Sequence, residues 1–250
     1  MVEQNDFFRE VFNHPLLSRI RGCGARAVSG SVLNDVRHPH VKLSVRLARK
    51  LGRNSLIEKI VRELKRGHGM QKEACIPVNS VAYRERQEAI DFVRQAKAAG
   101  LLSKRTVVFR PDVVVVRPLS QPEPISFFTG GWLEICMAAL MQRFLADPRR
   151  PALVPLFRIK LESQRGIVDA EIDGAAMLRG GRSLILVEAK TRPCVPLRFI
   201  RLARALGVCL KHRILVTATA TNGEIAPSEC TTMCIRRYAA FLRRLRLRCR

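Results

Sequence analysis

The sequence predicts an α+β protein in two parts. Residues 1–117 read as a basic, mainly helical domain of winged-helix character, and residues 126–250 as a mixed-sheet domain with elements in the order α-β-β-β-α-β. Three observations carry this. Apolar residues at helical spacing dominate before Gly100, β-branched runs bounded by Gly and Pro recur after it, and a proline-rich stretch separates the two patterns. Apolar residues make up 47% of the 250, enough to bury a core, which excludes a disordered basic tail.

In the first part, Val41–Leu51 carries apolar residues one helical turn apart, and Asn54-Ser55-Leu56-Ile57-Glu58 has the S-x-x-E form of a capping box opening a second helix through Leu64. A longer helix runs from about Ser80 to Ala99 and stops at Gly100. Thr106–Phe109 and Val113–Val116 flank Arg110-Pro111-Asp112 and read as a hairpin. Helices followed by a basic hairpin suggest a winged helix. Residues 118–125 hold three prolines and read as an extended linker, since proline removes a backbone donor and disfavours helix.

In the second part, Phe127–Leu145 is helical after a Gly130-Gly131 entry, with Trp132 more a packing anchor than a base-stacking platform. Strands follow at Leu153–Leu161, Ile167–Leu178 and Ser183–Ala189, then a helix over Leu197–Leu210 and a strand over Arg213–Ala218. Cys234–Arg250 closes the chain as a basic amphipathic helix.

Charge narrows the partner. The chain has 45 Lys+Arg against 21 Asp+Glu, a net charge of +24, and 35 of those cations are Arg. Arg binds phosphate oxygens in pairs through its planar fork, and a cationic field concentrates polyanions, so nucleic acid is the expected partner class. No apolar run reads as a membrane span, and the N-terminus MVEQNDFF lacks the basic and apolar regions of a secretion signal, so a cytoplasmic, membrane-free protein is expected. The eight cysteines form no CxxC pair and read as reduced thiols.

The chemistry concentrates in one hairpin. A two-residue turn at Gly180-Gly181 sets Arg179 opposite Arg182 and, counting outward, Asp173 opposite Glu188 and Glu171 opposite Lys190. Directly opposed like charges are destabilising. Two carboxylates facing each other inside apolar strands call for a neutralising cation, and hard oxygen ligands in an incomplete set point to Mg²⁺ or Mn²⁺.

Asp173 followed by Glu188-Ala189-Lys190 on the next strand is similar to the PD-(D/E)xK nuclease signature. With Phe128-Thr129-Gly130-Gly131-Trp132-Leu133-Glu134 upstream, Glu171-Ile172-Asp173 on one strand and Glu188-Ala189-Lys190-Thr191 on the next, residues 118–220 resemble the nuclease domain of the DUF1887 group of CRISPR-associated effectors. The resemblance implies a restriction-endonuclease-like core and a metal-dependent nuclease acting on DNA or RNA in prokaryotic defence. It implies metal binding by Asp173, Glu188 and the Ala189 carbonyl, and a Lys190 that orients or deprotonates the attacking water. Glu134 would hold a second metal or a water, Glu171 is the alternative water holder, and Thr191 and Arg192 would reach the scissile phosphate. Pairing into a homodimer would also follow. Residues 1–117 are too short and too helical for the group's CARF sensor as well as a winged helix, so activation by cyclic oligoadenylate is not expected. The competing reading is a non-catalytic nucleic-acid-binding protein built on a nuclease-derived domain.

Overall fold

Short alternating runs become strands and longer runs of helical period become helices. A computed structural model describes residues 7–22, 27–66, 73–146, 154–162, 168–178, 183–191, 197–218 and 230–248. In chain order they form strand β1 (Phe8–Val11), helix α1 (Pro15–Gly22), β2 (Ala27–Leu33), helices α2 (Pro39–Lys50) and α3 (Ser55–Arg66), β3 (Ala74–Pro77), α4 (Tyr83–Ala98), β4 (Val107–Phe109), β5 (Val113–Val116) and α5 (Pro122–Ser126). A wide turn over Phe127–Gly131 leads into α6 (Trp132–Leu145). Then come β6 (Leu156–Glu162), β7 (Val168–Met177), β8 (Leu184–Lys190), α7 (Leu197–Ala205), β9 (Arg213–Thr217), β10 (Thr231–Cys234) and α8 (Ile235–Arg248). The chain divides into two compact units, Arg37–Cys136 and the union of Met1–Val36 with Met137–Arg250.

The larger unit is built on a seven-stranded mixed sheet, ordered β1-β2-β6-β7-β8-β9-β10. Neighbours from β1 to β8 are antiparallel, and β8, β9 and β10 run parallel. The elements α6, β6, β7, β8, α7 and β9 reproduce the expected α-β-β-β-α-β order. Leu16, Leu17 and Ile20 of α1 and Phe199, Ile200 and Ala203 of α7 pack with Leu156, Ile159, Ala175, Leu186 and Leu215 of the sheet into one core. At Gly174 a β-carbon would come 3.1 Å from the sulfurs of both Met137 and Met141, so glycine is what lets α6 lie this close to β7.

The smaller unit packs α2, α3 and α4 beside a three-stranded antiparallel sheet, β3-β5-β4. Leu43, Leu47, Ile57, Ile60, Leu64, Phe92 and Ala96 are buried in it. The expected β4–β5 hairpin forms, with Val107 opposite Val116. α4 gives way to Gly100 at φ +76, a left-handed conformation that favours glycine.

Four expectations change. The domain read as residues 1–117 does not stand as one body: β1 and β2 join the large sheet, an arrangement hidden because Phe8–Val11 is four residues long and Ala27–Leu33 carries Ser and Gly in place of a β-branched run. The linker at 118–125 is partly helical. Pro122 and Pro124 occupy the first turn of α5, where no intrahelical N–H is lost, and both Leu119 and Pro124 are buried. The α3 cap is Asn54, whose Oδ1 accepts from Ile57 N–H at 2.9 Å, and Ser55 Oγ instead donates to Glu85 Oε2 at 3.1 Å. The stretch Pro122–Leu145 is also long and apolar enough to cross a membrane by length and composition; it is mostly buried, as the core helix of a folded unit is.

Candidate active site

The β7–β8 hairpin has the register its turn predicts. Gly174 opposes Val187, Ala175 opposes Leu186, Ala176 opposes Ile185 and Met177 opposes Leu184, and Leu178 N–H donates to Ser183 O at 2.9 Å. The turn residues Gly180 and Gly181 lie outside the described residues. One step beyond Gly174 and Val187 the register reaches Asp173 and Glu188. Here the ladder gives way to a side chain, for Ala189 N–H donates to Asp173 Oδ2 at 2.7 Å. That bond fixes the Asp173 carboxylate in the direction of Glu188.

Both acids are buried, Asp173 to 8% exposure and Glu188 to 1%. Among the described residues no hydrogen-bond donor satisfies Glu188 Oε2, and the partner of Oε1 is Lys190. Lys190 Nζ lies 2.7 Å from Glu188 Oε1 and 3.8 Å from Asp173 Oδ2, as ion pairs. Burying two adjacent carboxylates beside one ammonium, with Glu188 Oε2 unsatisfied, costs free energy that protonation or a further cation relieves. Burial and the neighbouring Asp173 charge push Glu188 up to about 7, against the pull of Lys190. Burial raises Asp173 as well, opposed by Lys190 and by the Ala189 N–H bond. Two adjacent acids displaced upward by burial and mutual repulsion form an electrostatic focus of the kind found at functional sites.

Glu188, Ala189 and Lys190 stand on β8 beside Leu215, Val216 and Thr217 of β9. Asp173, Glu188, the Ala189 backbone and Lys190 therefore converge as expected. Other expected members do not join them in the same way. Glu171 opposes Lys160 of β6, and the charge of Lys190, which pairs with Glu188 and Asp173, also acts on Glu171. The antiparallel β7–β8 ladder stops at Gly174, which leaves Glu171 beyond it. Glu171 is still half-buried and its carboxyl is raised by burial. Glu134 sits half-buried in the first turn of α6, within the smaller unit. Thr191 follows β8 directly, and Arg192 lies outside the described residues. Trp132 is buried, as a packing anchor requires.

Among the described residues no three His, Cys, Asp or Glu side chains cluster as a metal cage. The donor set is thus the two carboxylates of Asp173 and Glu188. That suits a hard cation that keeps several waters and takes substrate oxygens, and it does not suit zinc, whose structural sites are closed by four protein ligands. Cys75, Cys136, Cys209, Cys230 and Cys234 are free thiols, and Cys23, Cys194 and Cys249 lie outside the described residues.

Two cations near the carboxylates were not legible in the sequence. The charges of Arg158 in β6 and Arg198 in the first turn of α7 both act on Asp173, and Arg198 acts on Glu188 too. Strand pairing supplies the missing signal: Phe157 opposes Gly174 and Ile159 opposes Ile172, so Arg158 falls opposite Asp173. Counting from a turn could not reach that register, because residues 163–167 between β6 and β7 carry no tight-turn signature such as Gly-Gly. No protein-family model matches the chain, and no curated protein matches it in sequence.

Proposed function

We propose that this protein is a metal-dependent nuclease that hydrolyses phosphodiester bonds of DNA or RNA, with a restriction-endonuclease-like core of the PD-(D/E)xK kind. The observation that carries the reading is Glu188: a carboxylate 1% exposed, its Oε1 facing Lys190 and its Oε2 without a hydrogen-bond donor among the described residues, directly beside Asp173. A purely structural acid would have its oxygens satisfied. The unspent Oε2 suits a cation.

Asp173, Glu188 and the Ala189 carbonyl would hold Mg²⁺ or Mn²⁺. When bound, such an ion polarises a phosphate oxygen and makes water a stronger acid near neutral pH. The remaining roles belong to the chain itself. Ala189 N–H holds Asp173 in place. Lys190, drawn toward both carboxylates, orients the attacking water and as an ammonium offsets charge building on the phosphate, while taking the water's proton would fall to its neutral amine form. Glu171 is an accessory group on the same strand, and Thr191 a candidate phosphate contact. The net charge of +24 supplies the field that gathers the polyanion. The resemblance to the DUF1887 group supports a role in prokaryotic defence, with pairing into a homodimer.

The test is a cleavage assay on single- and double-stranded DNA and RNA with Mg²⁺ or Mn²⁺. Wild type cuts at least one substrate. Asp173→Asn and Lys190→Ala bind it and leave it intact. A wild-type protein that binds nucleic acid and never cuts with either metal makes this a binding protein instead.

A further inference from the structure

Arg158 holds a backbone conformation its side chain does not favour. Its φ is +47, and among the described residues it is the one non-glycine residue with positive φ. The cause lies in the β2–β6 pairing: Ser31 opposes Phe157 and Ser29 opposes Lys160, so β2 spends one residue, Gly30, where β6 spends two, Arg158 and Ile159. This is a β-bulge on β6. Bulges of the type with one residue in the left-handed region normally place glycine there. Such a conformation costs on the order of 1–2 kcal/mol in other residues, so an arginine needs a compensating reason to occupy it.

The side chain is held as unusually as the backbone. The guanidinium lies over the Phe8 ring, 4.7 Å from its centroid. Phe8 is itself braced by Phe7 at 5.0 Å and by Phe157 at 6.0 Å between ring centroids. A guanidinium over an aromatic face keeps its in-plane N–H groups for acceptors at its edge. Arg158 falls opposite Asp173 in the sheet, and its positive charge is felt at both Asp173 and Glu171. Bulges and strained residues gather beside functional sites because they re-aim a side chain.

We propose that Arg158 is the phosphate-binding arm of the site: the bulge and the Phe8 ring fix its guanidinium to take a non-bridging oxygen of the nucleic-acid backbone next to the bond cut at Asp173 and Glu188. This rests on the nuclease reading. It adds a fixed cation on the β6 side of the carboxylates, where Lys190 serves the β8 side. It also explains why this bulge carries arginine instead of glycine.

The experiment separates binding from folding. Arg158→Ala, Arg158→Gly and Arg158→Lys are compared with wild type by thermal melting, and by binding to labelled oligonucleotides in EDTA across a salt series. Glycine tolerates the left-handed backbone and alanine does not, so the Gly variant melts about 2–4 °C above the Ala variant. Both bind about tenfold more weakly than wild type at ~0.1 M salt, with a salt slope lower by about one. The Lys variant keeps part of the affinity. If the Gly variant regains binding along with stability, Arg158 is structural and the inference is overturned. Wild type that binds and cuts, with all three variants equal to it, removes this inference and leaves the nuclease reading. Wild type that neither binds nor cuts removes both.

Discussion

Glu188 links the site to the stability of the fold. Its carboxyl is raised from the usual 4.5 to about 7 by burial and by Asp173. A group raised in the folded state contributes stability that is fully present below its unfolded pKa and is lost as pH rises through its folded pKa. The metal-free protein should therefore lose stability from this group between about pH 4.5 and 7. Buried His14 and His212 are lowered and act in the opposite sense, adding stability as pH rises through that range. Asp173 and Glu171, also raised by burial, share the downward sense, so the clean readout is the difference between variants: Glu188→Gln removes its own part of that component, and its melting temperature gains on wild type as pH climbs to 8. Mg²⁺ or Mn²⁺ raises the wild-type melting temperature at pH 8 and leaves Glu188→Gln unmoved. Equal pH profiles for the two proteins would contradict the account of Glu188. This residue was legible in the sequence because an Asp and a Glu counted out from a Gly-Gly turn had to oppose each other. Arg158 was not, because its role depends on a bulge created by pairing with β2, and no local pattern in Leu156–Glu162 announces it.

At the scale of elements, two close contacts set the frame. A β-carbon at Gly30 would meet Leu156 side-chain carbons at 2.7 Å, opposite the β6 bulge. Gly30→Ala should cost about 1–3 kcal/mol by overpacking, read as a lower midpoint in urea unfolding. At the start of α3, Asn54→Ala removes the bond to Ile57 N–H and should cost about 1 kcal/mol, while Ser55→Ala costs less. An Asn54→Ala cost no larger than that of Ser55→Ala would return the cap to Ser55. The S-x-x-E pattern pointed one residue too far along, because Asn54 and Ser55 are both good caps and only the backbone geometry chooses between them. The α-β-β-β-α-β series was readable, since each strand is an apolar run of ordinary length. β1, β2, β3 and β10 were missed: three are four residues long and the fourth carries Ser-Gly-Ser, so their strand character comes from neighbours in the sheet and not from their own composition.

At the scale of the whole molecule, charge and site complement each other. A chain at +24 gathers phosphates over much of its surface, but gathering alone does not explain two buried acids next to each other. Binding to nucleic acid should weaken steeply with salt, because it releases counterions, whereas the metal affinity of the buried pair should be far less salt-dependent. The partition of the chain was only partly legible. A proline cluster looks like a boundary, yet Pro122 and Pro124 start a helix, and the units meet the chain at Val36 and Cys136 instead. The large sheet recruits the two strands of one edge, β1 and β2, from the far N-terminus, a long-range pairing that composition cannot signal. The central claim is that Asp173 and Glu188 hold a cation for phosphodiester hydrolysis. Its most direct test is cleavage of a nucleic-acid panel by wild type and by Glu188→Ala with Mn²⁺ and with EDTA. The account predicts cutting by wild type with Mn²⁺ alone and none by the variant, both proteins binding equally; cutting that persists in Glu188→Ala or in EDTA would contradict it.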